Sequence, residues 1–141
     1  MSDLVTLKLE LPASHRFLNV LTGCIGELLS RINVIDNRDT VTYQLQLAAQ
    51  EVCTNIVDHA YQDVPDGRIE VFIEVDENNH HMTVTFGDTG APYESGIPDE
   101  LTIEEPSEGG MGLFLIRQLV DHVDYQRQNQ WNIWKISKKL A

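Results

Sequence analysis

The stretch Glu51-Val-Cys-Thr-Asn55-Ile-Val-Asp58-His59-Ala-Tyr61 decides how this chain is read. Its apolar residues Val52, Ile56 and Ala60 continue a three- and four-residue spacing that begins at Val41, Leu45 and Ala48, so it forms the second half of an amphipathic helix. Glu51 and Asn55 then stand on one face, separated by a single turn of about 5.4 Å. A carboxylate beside a carboxamide suits a site that must take up a proton and hold a hard cation. Taken alone, such a pair is ordinarily the solvated face of a helix.

Two later segments change that reading. Asp88-Thr-Gly90-Ala-Pro92 leaves the end of an alternating segment, and Gly109-Gly110-Met111-Gly112-Leu113 opens a short helical one. Each is weak in isolation, since Asp-Thr-Gly is a common turn and Gly-x-Gly triplets abound in loops. A glycine run that starts a helix nevertheless suits phosphate, because free backbone N–H groups and the helix dipole both face the anion. A base, a cation ligand and a phosphate cradle on a helix, a strand exit and a loop-to-helix entry together describe an ATP site.

Outward from these motifs the chain alternates between two periods. Val5, Leu7, Leu9 and Leu11 interleave with Thr6, Lys8 and Glu10 as a half-buried strand over 4–11, which Pro12 ends. Phe17, Leu18, Leu21, Cys24, Ile25, Leu28, Leu29 and Ile32 predict a helix over 14–32, with Gly23 and Gly26 weakening it or marking close packing. Asp39 or Thr40 is the expected N-cap of the second helix. After the Asp66-Gly67 turn, Ile69, Val71, Ile73 and Val75 mark a strand. Residues 77–80 form a hairpin loop, and Met82, Val84 and Phe86 mark the returning strand. Residues 87–109 are rich in glycine, proline and acid without a period, and a loop of that length in a compact domain is more often functional than idle. A helix around 113–120 and strands around 123–128 and 131–138 close the chain. The order β-α-α-β-β-loop-α-β-β predicts an α+β two-layer sandwich, a mixed and mostly antiparallel sheet with helices on one face, as one domain over 1–141.

Composition narrows the partners. The 141 residues carry a formal charge of −12, from 10 basic and 22 acidic side chains. A phosphate backbone or an anionic membrane would repel such a chain, so neither nucleic acid nor membrane is expected. Cys24 and Cys53 occupy apolar helical positions and read as free buried thiols. No basic-then-apolar leader and no apolar run near ~18 residues is present, so a cytoplasmic location is expected.

In order and context the three motifs resemble the Bergerat-fold ATP site of the GHKL superfamily, most closely in the bacterial anti-sigma factor serine/threonine kinases. Residues 51–61 resemble the N-box of that family, 88–92 its adenine box, and 107–113 its second glycine box. The resemblance spans nearly the whole chain. It implies Glu51 as general base and Asn55 as ligand of a Mg²⁺ that bridges the phosphates. Asp88 would accept from the adenine 6-amino group, with Gly90 and Pro92 beside the base. Gly109, Gly110, Met111, Gly112 and Leu113 would form the phosphate cradle. Asp58 and His59 fall among the nucleotide-binding residues too, with a plain polar helix end as an equal alternative for His59.

The sequence departs from the family at Ala91-Pro92, where many relatives carry a second glycine. It departs again at Trp131-Asn132, where a Gly-Thr pair often approaches adenine, and at Asn19, where some sporulation relatives use arginine for partner binding. The acidic Glu94, Asp99, Glu100, Glu104, Glu105 and Glu108 are unusual neighbours for a triphosphate.

The resemblance implies ATP/ADP and Mg²⁺ as ligands and a STAS-domain anti-anti-sigma protein as phosphate acceptor. A sigma factor would be a second partner, and strand 4–11 would offer an edge for a homodimer. A sensor histidine kinase is disfavoured because no dimerisation helix precedes residue 4, and a gyrase-like ATPase because no transducer follows Ala141. A nucleotide-gated module that sequesters its partner with little catalysis remains the alternative.

Overall fold

The computed structural model describes residues 4–93 and 111–141. Gly109, Gly110 and the six acidic loop residues named above lie outside the described residues, as does the side chain of Met111. Strands β1 (Leu4–Pro12), β2 (Arg68–Asp76), β3 (His81–Asp88), β4 (His122–Gln128) and β5 (Trp131–Lys139) form one sheet in the order β1-β2-β3-β5-β4. Helices α1 (Leu18–Leu29), α2 (Arg38–Asn55) and α3 (Met111–Leu119) make the second layer, with α2 packed between the other two. The expected α+β two-layer architecture is therefore the one observed. Every pairing among the described strands is antiparallel, so the mixed sheet is corrected to an antiparallel one.

The period-two rows build the core. Ile69, Val71, Ile73 and Val75 of β2, Met82, Val84 and Phe86 of β3, and Trp134 and Ile136 of β5 are buried against the helices. The facing helical rows are Leu21, Ile25 and Leu29 of α1, Leu45, Ala48 and Val52 of α2, and Ile116 of α3. Each large apolar side chain fully buried in this way stabilises the fold by roughly 1.5–3 kcal/mol. Cys53 sits in this core as a free thiol pushed up to about 12 by burial, which makes it inert.

Local departures from the sequence expectation have local causes. The first helical segment begins as a 3₁₀ turn over His15–Phe17, where Ser14 Oγ accepts from the Arg16 N–H. Its α-helical part stops at Leu29, although Ile32 is still buried. The second helix starts at Arg38, earlier than the expected Asp39 or Thr40 cap. Its cap is Asn37, in the left-handed region at φ 51° with no side-chain capping bond. Asparagine tolerates that conformation better than most residues. Arg38 explains the early start, since its guanidinium donates to the carbonyls of Leu29 and Ile32 and ties the end of α1 to the first turn of α2.

Of the two glycines in α1, only Gly26 is closely approached, by the end of the Gln46 side chain. A Cβ there would lie 2.8 Å from Gln46 Nε2, whereas one on Gly23 would meet nothing within 4 Å.

Candidate functional site

The deciding stretch does not finish as an α-helix. After Asn55 the backbone widens into a π-turn over Ile56–Ala60, closed by the Tyr61 N–H on the Ile56 carbonyl. Such turns are concentrated at functional sites. The wider turn presents the Ala60 carbonyl to the loop after β3, where it accepts from the Ala91 N–H at 2.8 Å. Gly90 is required here because a Cβ would come within 2.3 Å of that same carbonyl. Tyr61 adds a second tie. Its hydroxyl accepts from the Thr89 N–H at 2.9 Å and donates to the Arg68 carbonyl at 2.8 Å, while its ring covers Gly67 so closely that no Cβ fits. The first two motifs are thus fastened together by backbone.

The third motif arrives through Gly112. A Cβ added there would stand 3.2 Å from Glu51 Oε2 and 3.3 Å from Asn55 Oδ1, so the first turn of α3 passes directly over both side chains. Burial in this crevice pushes the Glu51 carboxyl above the ordinary carboxylate range. A raised carboxylate is better matched to taking a proton near neutral pH.

Asp88 closes β3 and is fully buried. Its Oδ1 accepts from the Gly90 N–H at 2.9 Å and from Asn132 Nδ2 at 2.7 Å, while Oδ2 is buried with no partner among the described residues. Burial pushes its pKa up, against the opposing pull of Asn132, the Gly90 N–H and the Arg127 charge. Asp88, Asn55, His59 and Asn132 line one narrow cleft whose far wall is Tyr93, Tyr125 and Trp134. These three rings pack edge-on or tilted, with centroids 4.8 to 5.8 Å apart. The cleft's volume of about 10 Å³ admits roughly one water, so a planar base enters only if the lining gives way. A wider groove of about 620 Å³ lies across the Ala60–Ala91 contact, but Asp88 and Asn55 do not line it. The narrow cleft is the one that gathers Asn55, His59, Asp88 and Asn132.

Glu51, Asn55, Asp88 and Gly112 therefore converge, and His59 borders the cleft. Asp58 is placed elsewhere: its carboxylate pairs with His15 Nε2 at 2.7 Å on the exposed flank of the π-turn. Leu113 is buried in the core, so its side chain packs against the fold and not against a ligand. Pro92 is exposed and does not line the cleft. Asn132, Tyr125 and Arg127 were not among the sequence-predicted site residues. A polar residue at an inward register position of β5, between Trp134 and the strand end, was the signal available for Asn132.

Residues 19–138 match the Histidine kinase-like ATPase domain family, and the chain belongs to it. It is similar to the serine-protein kinase RsbW of Halalkalibacterium halodurans, 28% identical over 137 residues that cover 88% of this chain and 77% of the relative. It is also similar to RsbW of Bacillus subtilis, 25% identical with 87% and 79% covered. The serine/threonine-protein kinase BtrW of Bordetella bronchiseptica is 28% identical over 94 residues, covering 64% of this chain and 65% of that one. Among solved structures, that of the RsbU and RsbW domains of Rv1364c from Mycobacterium tuberculosis superposes with a TM-score of 0.68 at 18% identity. That match spans 96% of this chain and 32% of the other, and it shows the fold. No helix of the described residues is long and apolar enough to cross a membrane.

Proposed function

We propose that this chain is an ATP-dependent serine/threonine protein kinase that phosphorylates a STAS-type anti-anti-sigma protein and also holds a sigma factor, phosphorylation deciding between the two. The observation that carries the nucleotide part is the buried, unpartnered Oδ2 of Asp88. An orphan acceptor at the bottom of an aromatic-walled cleft fits an exocyclic amino group such as that of adenine, and leaving it unpaired costs about 1–3 kcal/mol.

Glu51 is the proton acceptor for the attacking hydroxyl. Asn55, beside it, would hold Mg²⁺, which supplies charge neutralisation to the phosphates when bound. The first turn of α3 at Gly112 offers backbone N–H groups where any side chain would crowd Glu51 and Asn55. Phosphoryl transfer asks for positioning and neutralisation more than covalent chemistry, so this set of groups is sufficient. The kinase names of the relatives support the activity, and the resemblance supports the acceptor class. β1 is an edge strand whose Leu4 and Leu7 are exposed, which favours a homodimer through that edge.

The test is Glu51→Gln with labelled ATP, Mg²⁺ and the cognate STAS protein, read by mass spectrometry of the acceptor. ATP should still bind, while transfer falls by a factor on the order of 10²–10⁴. Equal transfer by both proteins removes Glu51 from the base role. Absence of transfer by the wild type favours a nucleotide-gated sequestering module.

A further inference from the structure

Three neighbouring strands change character at the same end. The inward row Met82, Val84, Phe86 of β3 finishes in Asp88; the row Ile136, Trp134 of β5 finishes in Asn132; the row Val123, Tyr125 of β4 finishes in Arg127. The register places Asp88 opposite Asn132 and Asn132 opposite Arg127. Acid, amide and cation thus form a line across the sheet. Nothing in the function proposed above requires the second and third members.

The amide in the middle can face only one way. Arg127 Nη1 donates to Asn132 Oδ1 at 2.9 Å, and the Tyr125 hydroxyl donates to the same oxygen at 2.7 Å. Asn132 Nδ2 donates to Asp88 Oδ1 at 2.7 Å, to the Ala91 carbonyl at 3.0 Å and to the Gly90 carbonyl at 3.1 Å. A guanidinium only donates, and carboxylates and carbonyls only accept. Turning the amide over would set its oxygen against three acceptors and its NH₂ against a cation. Arg127 also donates to the Gly90 carbonyl at 3.0 Å, which fixes the loop that carries the Gly90 N–H to Asp88 Oδ1. Among the described residues, both donors that reach Asp88 therefore land on one oxygen.

We propose that Asn132, oriented by Arg127 and Tyr125, is the positioning residue that pins the Asp88 carboxylate by Oδ1, leaves Oδ2 as a fixed acceptor in the cleft, and so makes the site selective for a 6-amino over a 6-oxo purine. The inference rests on the nucleotide reading above and adds to it the origin of base selectivity. A 6-amino group donates to Oδ2. A 6-oxo group would face it acceptor to acceptor in a buried place, leaving both unpaired, and sites built on such pairing reject the wrong partner strongly. With Asn132 shortened, the carboxylate can turn and water can fill the vacated space, offering a donor to the 6-oxo group.

The experiment is titration calorimetry of Mg²⁺-ADP and Mg²⁺-inosine diphosphate with wild type, Asn132→Ala, Arg127→Met and Arg127→Lys, with thermal melts run alongside. Wild type should favour ADP by on the order of a hundredfold or more. Asn132→Ala should weaken ADP on the order of tenfold and shrink the ADP-to-inosine ratio by at least as much. Arg127→Met should move the ratio the same way by less, and Arg127→Lys, which keeps a donor, should restore part of it. Should Asn132→Ala fail to fold, Arg127→Met leaves Asn132 in place and reads the same ratio. Affinities that fall together with an unchanged ratio overturn the inference while leaving the nucleotide site standing. Wild-type protein that binds neither nucleotide overturns both.

Discussion

The inward rows of β3 and β5 hold two regions of opposite kind within a few residues. Toward one end, Val84 faces Ile136 and Phe86 faces Trp134, all of them almost wholly buried. At the other end Asp88 faces Asn132, equally buried, with one carboxylate oxygen left without a partner among the described residues. The first region is complete, because every surface it hides from water finds another apolar surface. The second is incomplete, and the missing piece has the chemistry of a hydrogen-bond donor. Stability should therefore reside in the first region and ligand selection in the second, and substitutions in the two should separate cleanly.

The largest effect should come from breaking the apolar end. Phe86→Ala removes a fully buried ring from the centre of the sheet and leaves a cavity under α2, which should cost about 3–5 kcal/mol. Equilibrium urea unfolding will measure it. A cost below about 1 kcal/mol would mean that this end is not packed as tightly as its burial indicates.

The two ends also differ in how much of them the sequence carries. The apolar rows were legible because period two and period 3.6 depend only on near neighbours along the chain. Glu51 and Asn55 were legible for the same reason, since one helical turn fixes their relation. Asp88 was legible as the acid that ends a strand before a turn. The place of Asn132 was legible only through the resemblance, as a departure beside the adenine, and Arg127 was not legible, because what both bond to comes from a register that joins β3, β5 and β4 across more than one connection. The π-turn was hidden as well. Ile56 and Ala60 keep the helical spacing, and the Ala91 N–H that bonds the Ala60 carbonyl at the end of the turn is supplied by a loop far along the chain. The pairing of Asp58 with His15, 43 residues away along the chain, was equally out of reach of local spacing.

An intermediate effect should come from the tie between the two regions. Tyr61→Phe keeps the ring over Gly67 but deletes the hydroxyl that satisfies both the Thr89 N–H and the Arg68 carbonyl. Leaving two such groups short of a partner should cost about 1–3 kcal/mol. The Thr89 amide should also exchange faster with solvent than in the wild type. Hydrogen exchange at Thr89 that is unchanged would show that the loop is held from elsewhere, by the Ala60–Ala91 contact.

The smallest effect on stability, and the one of opposite sign, is expected at Asp88 itself. Its folded-state pKa is raised, chiefly by burial, above that of the unfolded chain. The folded protein therefore binds this proton more readily than the unfolded one does. Above the raised pKa the group opposes folding, and as pH falls through that value toward the ordinary carboxylate range the opposition disappears. Asp88→Asn keeps the size, retains an oxygen for the Gly90 N–H and Asn132, and removes the buried charge. The unliganded variant should be no less stable than wild type at neutral pH, and any advantage should shrink on acidification. Its affinity for ADP should nevertheless drop roughly 10- to 150-fold, the value of a hydrogen bond to a charged acceptor. Melting curves from neutral pH down to about 4, the ordinary carboxylate value, would check the first half and calorimetry the second. A variant clearly less stable than wild type at neutral pH would mean that the pull of Arg127 and Asn132 on the carboxylate outweighs its burial, and that the incomplete end of the rows contributes to the fold after all.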